Sequence, residues 1–293
     1  MSLSLTRRGL IGGAALLLPV LQVPRIAFAA ADDIDVRLAA LEKKTGGRLG
    51  VSVLDTGTNI GFDYRETEKF PMLSTFKTLV AACVLARVDQ NEDALARRIH
   101  FSKADLVTYS PATEKFAGGE GMPLSAICEA AVTLSDNTAG NLLLAQVGGP
   151  KGLTAWLRSI GDTQTRLDRI EPDLNESLKD DPRDTTTPAS MRETITTLIA
   201  GDALSEQSRE HLLGWLVGNK TGDARLRAGL PKNGVIGEKT GTTDKGGACD
   251  VGLFKPERRS PIFISVYIAE AKVSVKELNP VFAEIGRMVG EMV

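Results

Sequence analysis

Ser74 and Lys77 stand three residues apart at the head of an apolar run, Thr75 to Val88, that contains neither Gly nor Pro. A serine hydroxyl becomes a strong nucleophile when a neighbouring base takes its proton, and an amine one helical turn away is such a base. Phe76, Leu79, Val80, Cys83, Val84 and Leu85 recur at spacings of three and four, which predicts a helix with one buried face starting near Ser74. Pro71 suits the approach to that start. There the hydroxyl would lie beside free backbone N–H groups and the positive end of the helix dipole. An S-x-x-K pattern nevertheless occurs about once by chance in a chain of this length. A capping serine followed by a surface lysine accounts for it equally well, so the rest of the chain must decide.

Three further stretches carry groups of the right kind. Ser135-Asp136-Asn137 separates two apolar helical patterns, Leu124 to Leu134 and Thr138 to Val147, and offers a hydroxyl, an anchoring carboxylate and an amide. By themselves these residues do no more than cap a helix. Lys239-Thr240-Gly241-Thr242 ends a strand that begins near Val235. An ammonium and hydroxyls on an edge strand suit a carboxylate, and Gly lets a ligand approach the backbone. Glu171 and Asn175 lie in a long charged segment, Asp168 to Thr187, bracketed by Arg169 and Asp184, which have opposite charges and could pair. One helical turn would let Glu171 and Asn175 hold a water together. A loop of this length in a compact domain is functional or disordered far more often than it is a plain connector.

The elements that must position these groups fall into two kinds. Asp32 to Lys44 reads as an amphipathic helix, with Ile34, Val36, Leu38 and Leu41 among charges. Leu49 to Asp55 and Ile60 to Tyr64 read as a hairpin around Thr56-Gly57-Thr58-Asn59. Helical patterns dominate from Phe70 to about residue 220. Val235 to Lys239, Ala248 to Phe254 and Ile262 to Ile268 return to strands, and Val273 to Met292 closes as an amphipathic helix. Neither end can bury a sheet alone. The predicted fold is therefore α+β: an antiparallel five-stranded sheet flanked by the terminal helices, with an inserted all-α domain and the site in the cleft between them. This divides the chain into 31–66 with 220–293 as the α/β domain, and 67–219 as the all-α domain.

Residues 1–30 read as a twin-arginine signal peptide. Arg7-Arg8 precede an apolar stretch, Leu10 to Val23, and Ala27-Phe28-Ala29 has the form of a cleavage site. The expectation is export to the periplasm and no membrane association after processing. The formal charge is −2, and losing the leader's Arg7, Arg8 and Arg25 takes it to near −5. With no basic tract, no nucleic-acid partner is expected. Two histidines and no CxxC pattern argue against a metal, and no cofactor is called for. Cys83, Cys128 and Cys249 are expected to be buried thiols, with a Cys83–Cys128 disulfide as the alternative.

Together, Ser74-x-x-Lys77, Ser135-Asp136-Asn137, Glu171-x-x-Leu174-Asn175 and Lys239-Thr240-Gly241 resemble the class A serine β-lactamases in order and separation. S-x-x-K, S-D-N and K-T-G are the known signature of that family. Arg97-Arg98-Ile99, Tyr109-Ser110-Pro111, Gly148-Gly149-Pro150 and Arg183-Asp184-Thr185-Thr186 extend the resemblance over nearly the whole mature chain. It implies hydrolysis of β-lactams, as small-molecule substrates, through a serine acyl-enzyme in a monomer. By the same resemblance Ser74 is the nucleophile, and Lys77 or Glu171 is the base that activates it. Glu171 and Asn175 position the deacylating water, and Ser135 passes a proton to the leaving nitrogen. Asn137 binds the substrate's side-chain amide, and Lys239, Thr240 and Thr242 bind its carboxylate. The N–H groups of Ser74 and Thr242 form the oxyanion hole. Gly241 lies on the strand beside the substrate, Tyr109 walls the cleft, Arg169 and Asp184 clamp the loop, and Asn141 braces it.

The chain departs from the family in one place. Many members carry an arginine on the strand after K-T-G, where this chain has Ala248; Arg225 is expected to supply that charge, with Arg227 as the competitor. The Thr242 hydroxyl suits activity on cephalosporins or carbapenems. Leu73 and Thr243, however, occupy the positions of a disulfide found in carbapenem-hydrolysing members. A cell-wall peptidase and a β-lactam sensor share much of the signature. Neither needs Glu171 with Asn175, and a sensor would also carry a membrane helix and a signalling domain.

Overall fold

The computed structural model describes residues 26–293, with side chains from Asp33 onward. The twin-arginine motif and the apolar stretch Leu10 to Val23 lie outside the described residues. Helix α1 (Ile26–Thr45) starts earlier than the predicted Asp32. It buries Leu38 and Leu41, but Val36, predicted on the apolar face, is 67% exposed.

Strands β1 (Arg48–Asp55) and β2 (Ile60–Tyr64) form the expected hairpin. The next segment, β3 (Phe70–Pro71), leads into a 3-10 turn at Leu73–Thr75 and then α2 (Phe76–Asp89). Every residue from Phe76 to Ala86 is buried. The prediction of one buried face is therefore corrected: α2 is the central helix and is covered on all sides by α3 (Leu124–Thr133), α4 (Asn137–Gln146), α5 (Gly149–Ser159) and α7 (Glu206–Val217). The physical reason is in the run itself, which has no charge between Lys77 and Arg87, and a helix apolar all round is stable only when enclosed. Each large side chain buried there contributes about 1.5–3 kcal/mol.

Two short ladders interrupt the helical region that the sequence reads as all-α. Strand β4 (Arg98–Ile99) pairs with β5 (Met122–Pro123), and β3 pairs with β6 (Thr185–Thr186). Helix α6 (Pro188–Ala200) starts directly after β6, with the Thr187 side chain accepting from the Ser190 N–H as its cap.

After the four-residue helix α8 (Leu226–Gly229) come β7 (Gly234–Thr243), β8 (Gly247–Pro256), β9 (Ile262–Ala269) and α9 (Val275–Gly290). The five long strands form one antiparallel sheet in the order β2-β1-β9-β8-β7. Its two faces feed two cores. Ala248, Phe254, Ile264, Val266 and Ile268 pack with Leu38, Leu41, Val281, Phe282 and Ile285 of α1 and α9. Cys249, Val251, Leu253, Phe263 and Tyr267 join the core of the helical region. Burial on both faces explains why β8 and β9 read as apolar runs with little alternation. All three cysteines are free and buried, so the disulfide alternative falls away. Burial pushes the thiols of Cys83 and Cys249 up to about 12, which makes them poor nucleophiles. No described helix is long and apolar enough to cross a membrane.

Candidate active site

Ser74 sits in the 3-10 turn just ahead of α2 rather than within the helix, and is 9% exposed. Lys77, in the first turn of α2, reaches back to it, with Nζ donating to Ser74 Oγ at 2.8 Å. The ammonium is fully buried and lies near three more acceptors: Asn137 Oδ1 at 2.6 Å, Ser135 O at 3.0 Å and Glu171 Oε1 at 2.8 Å. An ammonium has three N–H groups, so four acceptors compete for them. Burial lowers the proton affinity of Lys77, while Glu171 and Asp136 pull the other way. The Ser74 hydroxyl also lies 3.5 Å from Glu171 Oε1. Both groups named as its base are therefore within reach.

The Ser135-Asp136-Asn137 turn is held by its middle residue. Asp136 caps α4 through the Ala139 N–H and accepts from the N–H groups of Ala112 and Thr113 and from the Thr113 hydroxyl. Asn137 is fixed on both sides: its N–H donates to Tyr109 O and its Nδ2 to Thr108 O. This leaves Oδ1 for Lys77 and ties Tyr109, 57% exposed at the rim, to the same turn.

The charged loop folds back under the nucleophile. Asn141 on α4 makes a two-way bond with the Glu171 backbone: Nδ2 donates to Glu171 O, and Glu171 N donates to Oδ1, each at 2.9 Å. Asp184 accepts from the N–H groups of Asp168 and Arg169 and pairs with Arg169 Nε at 2.6 Å, closing the loop at its neck. A 3-10 turn, Asp173–Asn175, brings Asn175 Nδ2 to Glu171 Oε2 at 2.5 Å. Glu171 is 1% exposed, and Asn175 Oδ1 is buried with no partner.

The edge strand β7 forms the opposite wall. Lys239 Nζ donates to Ser135 Oγ at 3.0 Å, so the two walls are joined across the cleft. Burial brings the Lys239 ammonium down to about 7, with the charges of Lys77 and Arg225 adding to the fall. Gly241 passes so close to the nucleophile that a Cβ there would lie 2.9 Å from Ser74 N, 2.8 Å from Leu73 Cβ and 2.6 Å from Cys249 Sγ. Only glycine fits that approach. Leu73, Tyr109, Ser135 and Asp184 all have left-handed backbone, with φ of 49°, 66°, 59° and 57°. Such conformations each cost about 1–3 kcal/mol in non-glycine residues and gather where a site holds them.

Arg225 is buried behind β7. It donates to Gly241 O at 2.8 Å, Cys249 O at 2.7 Å and Thr242 Oγ1 at 2.6 Å, and stacks over Phe282. Its competitor Arg227 is held instead by Glu238 at 2.7 Å. Ser74, Tyr109, Ser135, Asn137, Asn175, Thr240, Gly241 and Thr242 line a common cavity of about 320 Å³. A larger groove of about 460 Å³ lies beside α6, but its buried carboxylate, Asp162, is fully occupied by Ser190, Thr194 and two backbone N–H groups. Among the described residues no group of three or more His, Cys, Asp or Glu is placed to hold a metal.

Two residues at the site escape sequence reasoning. Thr221 shares a hydrogen bond with the Thr240 hydroxyl, and Thr243 Oγ1 donates to Asn175 O at 2.9 Å, tying β7 to the loop. Neither belongs to a motif, and both contacts depend on where distant segments come to rest.

A model of the β-lactamase enzyme family matches residues 33–293. The chain is 43% identical over 262 residues to β-lactamase CTX-M-8 of Citrobacter amalonaticus, covering 89% of this chain and 90% of that protein. It is 45% identical over 255 residues to β-lactamase AST-1 of Nocardia asteroides, covering 87% and 82%. Among solved structures, an ancestral (GNCA) class A β-lactamase superposes with a TM-score of 0.87 at 57% identity, covering 89% of this chain and 100% of that one. The putative class A β-lactamase PenP from Rhodopseudomonas palustris has a TM-score of 0.87 at 50% identity, with the same coverage.

Proposed function

The chain belongs to the class A β-lactamases and hydrolyses β-lactams, and from that premise we propose that Ser74 opens the lactam ring and that Glu171 drives release of the acyl group. Ser74 Oγ attacks the lactam carbonyl, and its proton passes to Lys77 or, through a water, to Glu171. The N–H groups of Ser74 and Thr242 receive the oxyanion. The approach of Gly241 to Ser74 N supports this, because it sets the K-T-G strand against the nucleophile. The C–N bond then breaks, and Ser135 passes a proton to the departing nitrogen. In the second half, Glu171 takes a proton from a water held with Asn175, and the oxygen attacks the ester. The bond to Oγ breaks and Ser74 regains its proton.

Asn137 binds the side-chain amide of the substrate and Tyr109 forms the wall beside it. Lys239, Thr240, Thr242 and Arg225 bind the carboxylate. Asn141, Arg169 and Asp184 keep the loop in place. The observation that carries this reading is Glu171, which faces Ser74 and Lys77 through one oxygen and Asn175 through the other. A peptidase or sensor that stays acylated has no use for that pair. Nitrocefin added to the purified mature chain is expected to turn over continuously; a burst of one equivalent that then stops would favour the sensor.

Arg225→Ala is expected to raise KM for penicillins by roughly tenfold or more, since a hydrogen bond to a charged group is worth about 1.5–3 kcal/mol. An unchanged KM in steady-state assays would remove Arg225 from the carboxylate site. Lys239 gives a pH dependence. Its ammonium is lost in the free enzyme as pH rises through about 7, so kcat/KM falls on the alkaline side. A bound carboxylate favours the charged form, so the limb in kcat lies at higher pH. Lys239→Arg, which stays charged, is expected to abolish the limb in kcat/KM, and a limb that persists would place it on another group. We further propose twin-arginine export to the periplasm and a monomeric enzyme, on the strength of the leader sequence and of the resemblance.

A further inference from the structure

We propose that Glu238 and Asp250 hold one proton between them, and that this singly charged pair leaves Arg225 and Lys239 free to attract the substrate carboxylate. The inference rests on the reading of those two cations as the carboxylate site. In the β7–β8 ladder Glu238 faces Gly252 and Asp250 faces Thr240, so the two carboxyl groups lie diagonally on one face of the sheet. They are 1% and 0% exposed. Glu238 Oε1 accepts from Arg227 Nε at 2.7 Å, and Asp250 Oδ2 accepts from Leu226 N at 3.1 Å. The remaining oxygens, Glu238 Oε2 and Asp250 Oδ1, are buried and meet no N–H or hydroxyl donor. Ionised carboxylates only accept, so two neighbouring carboxyl groups that meet no other donor can satisfy each other only when one of them carries a proton. A single proton on Asp250 partners both orphaned oxygens at once.

The surroundings favour this state. Burial, with the neighbouring Glu238 charge, pushes the Asp250 carboxyl well above the usual carboxylate range, against the pull of Arg225. The charged groups on this face of the sheet are Arg225 and Arg227, with Asp223 lying 3.7 Å from Arg227 and open to solvent, while Lys239, next in the strand to Glu238, points to the opposite face and feels the charge of Asp250 through the sheet. Helix α9 brings the neutral Asn279 and Phe282 against Arg225. The chain also makes room for the carboxylate: a Cβ on Gly222 would lie 1.9 Å from Glu238 Oε1. Two full negative charges here would hold the guanidinium of Arg225 for themselves. One leaves the wall of the cleft positive.

The test is infrared spectroscopy of the mature enzyme at pH 8, combined with a pH profile of kcat/KM for benzylpenicillin. The carbonyl band of a protonated carboxylic acid is expected in the native protein and lost in Asp250→Asn. The amide of that variant still donates to Glu238 and keeps the charge, so the alkaline limb stays where it was. If Asp250→Asn folds poorly, Glu238→Gln poses the same question, since its amide donates to an Asp250 that must then ionise. Absence of the band in native enzyme, or a limb displaced to lower pH by about one unit or more in Asp250→Asn, would show two ionised carboxylates and overturn the proposal. Failure of the carboxylate-site reading would look different: Arg225→Ala would leave KM unchanged while the band remained.

Discussion

Ser74→Ala is expected to lower kcat/KM for benzylpenicillin by roughly 10⁵–10⁶-fold, the scale on which removal of a serine nucleophile acts when its partners work as a unit. The substitution removes one oxygen and leaves the wall contacts standing. Lys77 keeps Asn137 Oδ1, Ser135 O and Glu171 Oε1, and Lys239 keeps Ser135 Oγ. Binding should therefore survive while chemistry does not. Equilibrium binding of a penicillin to the variant, together with a steady-state assay, separates the two. Retention of more than a few per cent of native turnover would remove Ser74 from the reaction.

Glu171→Gln is expected to leave acylation fast enough to observe and to slow deacylation by roughly 10²–10⁴-fold, the usual worth of a positioned general base. Glutamine keeps the volume and can still meet Asn175, but it takes no proton from water. The variant should show a burst of about one product per enzyme followed by a slow phase. Stopped-flow mixing with nitrocefin reads both phases. The result also bears on the first step. Lys77 loses the carboxylate that pairs with its buried ammonium at 2.8 Å and keeps only the more distant pull of Asp136 among the described residues, so its proton affinity falls further and it becomes the stronger candidate for the base that activates Ser74. A loss of acylation equal to the loss of deacylation would instead assign both proton transfers to Glu171. Rapid steady turnover by the variant would exclude it from deacylation.

The sheet was legible in the sequence because its strands differ so plainly from the helical middle. The strand runs around Val235, Ala248 and Ile262 lie within a residue to a few residues of the observed limits, and the hairpin at Thr56 to Asn59 is where the turn residues place it. Periodicity misled where burial is complete. The spacing of Leu79, Cys83 and Val84 implies a single apolar face, yet α2 has no exposed side from Phe76 to Ala86. Val36 carries the right residue type for the core and points to solvent, because α1 turns Leu38 and Leu41 inward instead. In the site, residues inside short motifs could be found from sequence, since S-x-x-K, S-D-N and K-T-G each concentrate chemistry in three or four positions. Contacts made between segments could not. Thr243 with Asn175, Thr221 with Thr240, and the diagonal placement of Glu238 and Asp250 depend on strand register and loop placement. A polar residue in a strand has the same local signature whether it is solvated or buried.

On the reading proposed above, Arg225 replaces from another element the arginine that the strand after K-T-G lacks. The strand position opposite Thr242 is Ala248, too small to reach a ligand. The guanidinium arrives instead from the segment before α8, is fixed by two backbone carbonyls, and presents one nitrogen to the Thr242 hydroxyl. On that reading, a buried arginine held by Gly241 O and Cys249 O would add charge to the site without rotamer freedom to lose on binding.

The most direct test of the central claim is the covalent intermediate itself. Purified Glu171→Gln enzyme is mixed with benzylpenicillin, quenched in acid and analysed by intact mass and peptide mapping. The expected result is a mass gain equal to one whole substrate molecule, carried by the peptide that contains Ser74 and missing when Ser74→Ala is combined with Glu171→Gln. An unmodified protein, or an adduct on a peptide that does not contain Ser74, would contradict the account.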